Sequence, residues 1–212
     1  MEKIQILWNG PKRAPLTVAL AHGAGAPMDT PFMNFFAEGL STRGYRIARF
    51  EFPYMAKRRK TQQRSPPNRQ PELLATWKTV LTQIKANKLV IGGKSMGGRI
   101  ATMIADECLY HPNNVCGILC LGYPFYGAGK FNKPRIAHLE IIKTPMLICQ
   151  GARDPLGNHE SVSRLKLSKS INFHWAEDGD HDLKPRKISG FTHEQNLIAA
   201  LESASSFLSA LG

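Results

Sequence analysis

Residues Gly93-Lys94-Ser95-Met96-Gly97 constrain this chain more than any other segment. They follow the apolar run Leu89-Val90-Ile91 and precede a stretch, Met96 to Glu107, in which Met96, Ile100, Met103 and Ile104 recur at helical spacing. A strand that runs directly into a helix must reverse within a few residues. Glycines on either side of Ser95 let the backbone make that turn, and the serine at its apex is lifted above the sheet with its hydroxyl exposed. The segment does not make a phosphate loop. That motif needs a glycine five positions before Gly93, where the chain has Lys88. No dinucleotide fingerprint is present either.

The rest of the chain alternates strand-like and helix-like segments, the pattern of a mostly parallel sheet covered by helices. Leu16 to Ala21 is a near-continuous apolar run suited to a strand buried on both faces. Phe32 to Leu40 reads as a helix with Gly44 just past its end, and Tyr45 to Phe52 returns as a strand. Pro71 and Glu72 open a helix whose stripe is Leu73, Leu74, Trp77, Val80, Leu81 and Ile84. Leu89 to Gly92, Val115 to Leu121, Pro145 to Gln150 and Ile171 to Ala176 are further strands. Helices are predicted over Met96–Glu107, His159–Ser168 and Phe191–Leu211. With no repeats and no linker, the expectation is one α/β domain over residues 1–212, helices on both faces of the sheet. The 122–143 segment is too short for a lid domain, which argues for a minimal cap or none and against a deep, lid-covered tunnel.

Charge narrows the partners. Lys and Arg number 28 against 16 Asp and Glu, a net charge of +12. Lys57, Arg58, Arg59, Lys60, Arg64 and Arg69 stand in one stretch without an acid, with Pro66-Pro67 inside it. Lys57 to Arg69 therefore reads as an extended, solvated loop at the rim of the site. No aromatic residue is interleaved for base stacking, which disfavours a nucleic-acid partner. Ile4 to Trp8 is too short and interrupted for a signal-peptide core, and no apolar run approaches bilayer length, so no membrane partner is expected. Cys108, Cys116, Cys120 and Cys149 lack metal-ligand spacing and read as small buried hydrophobes in a cytoplasmic protein.

A serine hydroxyl needs a base, and the base an orienting carboxylate. Two loops just after predicted strands supply them: Gly151-Ala152-Arg153-Asp154-Pro155-Leu156-Gly157 and Glu177-Asp178-Gly179-Asp180-His181-Asp182. In a parallel sheet such loops converge at one edge. Ser95, Asp154 and His181 are the expected catalytic residues, with Asp178, Asp180 and Asp182 competing for the role of the acid. The acidic run is not an EF-hand, because the required glycine and distal glutamate fall on Leu183 and Ser189. No metal site is expected. The loop His22-Gly23-Ala24-Gly25-Ala26 follows the buried strand, and the backbone N–H groups of Ala24 and Met96 are the expected oxyanion donors, with His22 shaping the loop.

With these four elements in this order, the chain resembles the α/β-hydrolase superfamily over essentially its whole length. Phe52-Pro53-Tyr54-Met55, Gly93 to Arg99 and Gly151 to Gly157 are similar to small, cap-less hydrolases related to dienelactone hydrolases, a group that also contains an apparently non-enzymatic subunit of an animal histone-acetyltransferase complex. The resemblance implies a Ser95/Asp154/His181 triad and an eight-strand-type sheet. Dienelactone hydrolases proper use a cysteine nucleophile where this chain has Ser95, so their substrate does not carry over. The expected activity is hydrolysis of a small-molecule carboxylic ester or related acyl compound, with no cofactor. The competing expectation is an interaction protein of the same fold whose basic loop binds an acidic partner.

Overall fold

The central strands are apolar on both faces, so the sheet has to be covered on both sides. The computed structural model describes residues 3–109, 115–130 and 132–212. Among these, seven strands form one sheet: β1 (Ile6–Asn9), β2 (Thr17–Ala21), β3 (Arg46–Phe50), β4 (Leu89–Lys94), β5 (Val115–Leu121), β6 (Met146–Gly151) and β7 (Ile171–Ala176). Their order is β1-β3-β2-β4-β5-β6-β7. All neighbours are parallel except β1, which runs antiparallel to β3 at the edge. The sheet is thus seven-stranded among the described residues, against the eight-strand type the resemblance implied.

Among the described residues six α-helices cover the sheet: α1 (Pro31–Thr42), α2 (Pro53–Thr61), α3 (Gln70–Gln83), α4 (Met96–Thr102), α5 (His159–Ser163) and α6 (His193–Leu211). The period-2 alternation of the strands divides the core. On β4, Leu89 and Ile91 face the layer of α3 and α4, with Trp77 and Ile100. Val90 faces the layer of α1 and α6, with Phe36, Leu40 and Leu208. Trp77 is fully buried edge-on against Phe50, 4.7 Å between ring centres. Local signals set the helix ends. Pro31 follows the capping Thr30 of α1, and α6 opens on a reciprocal Thr192/Gln195 capping box.

Several expectations are corrected. Lys57 to Lys60 is not loop: it lies in α2, which starts at Pro53 and closes on a left-handed Gln62. Met55, Ala56 and the Lys/Arg side chains are good helix formers, and cations in the last turn suit the helix dipole. Only residues 62–69 are irregular. The helix after Ser95 ends at Thr102 rather than Glu107. Two tightened bonds, Met103 N–H to Ile100 O and Ile104 N–H to Ala101 O, close it. Similarly α5 stops at Ser163, because Ser168 N–H is drawn to Leu139 O. Strand β1, a four-residue edge strand, carried too little alternation to be read.

Candidate active site

Strand β4 and helix α4 meet at Ser95, which has φ 51° and ψ −115°, a conformation that L residues rarely adopt. The neighbours make it feasible. A Cβ at Gly93 would lie 2.1 Å from Ala21 O, and one at Gly97 would lie 2.4 Å from the same atom. The turn therefore presses against β2, and only glycine fits at either position. Ser95 heads α4, so the Met96 N–H belongs to the first turn, whose donors have no intrahelical acceptor.

Loops from three other strands reach this point. His181 Nε2 lies 2.8 Å from Ser95 Oγ, and His181 Nδ1 lies 2.7 Å from Asp154 Oδ2. The carboxylate can only accept, so Nδ1 carries the proton and Nε2 is left to accept the serine hydroxyl. The structure brings Ser95, His181 and Asp154 into one hydrogen-bonded row. It does not bring the competing acids there. Asp178 is held by Arg186 and Arg153, and the Arg186 guanidinium draws its carboxyl down to about 2. Asp180 Oδ1 accepts from the N–H groups of Asp182 and Lys184 within its own turn. Asp182 pairs with Lys94.

Two supporting residues carried no sequence-level reading. Gln150, buried at the end of β6, donates to Asp154 Oδ2 (2.8 Å), Tyr123 O (3.1 Å) and Gly157 O (3.0 Å), while its Oε1 accepts from Tyr123 N–H (2.7 Å). Leu156 N–H occupies the other oxygen, Asp154 Oδ1, at 2.7 Å. A polar residue closing an otherwise apolar buried strand was the available signal. Lys94 is the second. Its buried ammonium donates to His181 O at 2.6 Å, pairs with Asp182 Oδ1 at 3.0 Å and lies 5.1 Å from the Phe32 ring centre. Burial pushes its pKa below the ordinary lysine value. As a variable position of the motif, it gave no signal.

The loop carrying Ala24 is built from below and from α2. Gly23 sits against the serine: a Cβ there would lie 3.7 Å from Ser95 Cβ. His22 is fully buried; its Nε2 accepts from Phe52 N–H (3.1 Å) and its Nδ1 donates to Gly23 O (2.6 Å). Burial lowers its pKa and keeps it neutral. From α2, Tyr54 Oη donates to Ala24 O at 2.9 Å and Arg58 Nη1 to Gly25 O at 3.0 Å. Arg59 is bound to the buried Glu51 and to Asp29. Of the four cations on α2, Arg58 therefore fixes the loop beside Ser95 and Arg59 anchors the helix to Glu51 and Asp29, rather than lying free in solvent.

The chain belongs to the alpha/beta hydrolase domain family, whose model matches residues 14–209. Its fold is similar to that of an alpha-beta serine hydrolase homologue from Coxiella burnetii (18% identity, 96% of this chain and 90% of that one, TM-score 0.70). It is also similar to a serine hydrolase without lid from Xanthomonas campestris (15% identity, 97% and 88%, TM-score 0.66). A third similar structure is Est1E from Butyrivibrio proteoclasticus (15% identity, 96% and 94%, TM-score 0.66). Among the described residues no helix is long and apolar enough to cross a membrane.

Proposed function

We propose that the chain is a serine hydrolase that cleaves a carboxylic ester or a related acyl compound through an acyl-enzyme, acting as one domain. The observation that carries this reading is the Ser95–His181–Asp154 hydrogen-bonded row on a strained strand-to-helix turn. His181 Nε2 takes the Ser95 proton as Oγ attacks the acyl carbon. The oxyanion is met by the N–H groups of Ala24 and Met96, the proton passes to the leaving alkoxide, and water then releases the acid with His181 again as base. Asp154 holds the tautomer and stabilises the imidazolium. Helix α2, through Tyr54 and Arg58, keeps the Ala24 peptide in place before the substrate arrives. An esterase domain from Rhodothermus marinus among the similar structures supports the choice of acyl chemistry. All four cysteines are free and three of them are buried, in keeping with small core residues, and a cytoplasmic setting is part of the proposal.

The test is turnover of p-nitrophenyl esters of increasing acyl length. Ser95→Ala and His181→Ala should each remove nearly all activity, and the double variant little more, because the residues act as a unit. Undiminished hydrolysis by folded Ser95→Ala would contradict the mechanism.

A further inference from the structure

The buried Arg49 is supplied with acceptors at its terminal nitrogens by Met28 O, Asn34 Oδ1 and Asn9 Oδ1, its Nε alone lacking one, and the exposed Arg59 is supplied by Glu51 and Asp29. Arg99 is not. It sits one helical turn after Ser95, its N–H donating to Ser95 O at 3.0 Å. Its side chain is half-buried, its Nε is buried without a hydrogen-bond partner, and Nη2 meets only Gln70 Oε1, at 3.4 Å. No carboxylate of the described residues pairs with it.

The surroundings add positive charge. After burial, the charge of Arg135 also lowers the Arg99 pKa, and Arg135 has no ion-pair partner among the described residues. Its backbone is fixed by Tyr123 Oη on Arg135 O (3.1 Å) and by its own N–H on Phe125 O (2.7 Å), with the guanidinium beside Gly127. From Gly122 to Leu139 the sequence has Lys130, Lys133 and Arg135 but no Asp or Glu. The field is felt nearby: burial first and then Arg99 push His138 down to about 4. A charge withdrawn from water is ordinarily paired. Here the chain supplies the cations and omits the anion.

We propose that Arg99 and Arg135 bind an anionic group of the substrate, a carboxylate or a phosphate, between the start of α3 and the loop after β5. The proposal rests on Ser95 as nucleophile and narrows the substrate class to acyl compounds that carry a negative charge remote from the scissile bond. The planar guanidinium fork suits either oxyanion.

The test compares kcat/KM for p-nitrophenyl hydrogen succinate and p-nitrophenyl pentanoate at constant ionic strength, corrected for uncatalysed hydrolysis. The wild type should favour the succinyl ester by about tenfold or more, the scale of a hydrogen bond to a charged group. Arg99→Gln and Arg135→Gln should bring the ratio towards one, with Arg99→Lys in between. A second readout needs no turnover: succinate or inorganic phosphate should raise the Tm of the wild type but not of Arg99→Gln, and the larger shift identifies the preferred anion. If Arg99→Gln does not fold, the exposed Arg135→Gln carries both comparisons. A ratio unchanged by the substitutions, or no stabilisation of the wild type by either anion, would overturn the proposal. Stabilisation by an anion without hydrolysis of either ester would leave the anion site standing and remove the nucleophile reading instead.

Discussion

The acid and the base of the candidate site are held by different physics. Asp154 is fully buried and surrounded by neutral donors: Gln150 Nε2, Leu156 N–H and His181 Nδ1. His181 stands on a half-exposed turn that, besides its own backbone bonds, is held by charge, through Lys94 to Asp182 and His181 O, and through Arg186 and Arg153 to Asp178. The neutral cradle is short-ranged and indifferent to salt, so the orienting carboxylate keeps one geometry. Ion pairs at a surface are weaker and can be screened. That contrast teaches where the site can give: the row should loosen from the His181 side.

The largest effect should separate the acids. Asp154→Asn should lower kcat by orders of magnitude by favouring the wrong imidazole tautomer, whereas Asp182→Asn should cost no more than about tenfold. A severe Asp182→Asn and a mild Asp154→Asn would reverse the comparison. Next come the residues that hold each side. Gln150→Leu strands buried groups on Tyr123 and Asp154, and should destabilise the fold by about 2–4 kcal/mol in a denaturant titration, whatever the salt. The wild-type kcat should depend on salt, and Lys94→Met should leave the fold standing, lower kcat more than it raises KM, and remove part of that dependence. Equal salt dependence in both proteins would show that the charged contacts do not set the position of His181.

The smallest effect concerns pH. Asp178 has a folded pKa of about 2, below its ordinary 3.8, so its contribution is present above the unfolded value and is lost as pH falls through the folded one. The Tm deficit of Asp178→Asn should therefore be modest at neutral pH and shrink as pH drops from about 4 towards 2. A deficit constant down to pH 2 would mean that Asp178 acts by shape rather than charge.

The parts of the site readable in the sequence were those whose chemistry is local. The Gly-x-Ser-x-Gly turn sits between a strand and a helix, and the Asp154 and His181 loops each follow an apolar strand. The supports were not readable, because they depend on side chains meeting across the fold. Lys94 reaches a carbonyl 87 residues away, and Gln150 links two loops at the end of its strand. Charge density misled at Lys57 to Lys60. Six cations without an acid read as solvated chain, but Arg58 and Arg59 find their acceptors on Gly25, Glu51 and Asp29 only after folding. Strand β1 was missed for a related reason: four residues at an edge, with Leu7 and Trp8 partly exposed, leave almost no pattern.

The measurement that tests the central claim most directly is labelling with a fluorophosphonate, followed by peptide mass mapping. A serine activated by a neighbouring imidazole reacts with such a reagent, and an ordinary serine does not. The account predicts one adduct per chain, on the peptide containing Ser95, absent in Ser95→Ala and strongly slowed in His181→Ala. Folded wild-type protein that stays unlabelled, or labels with equal speed without His181, would contradict it.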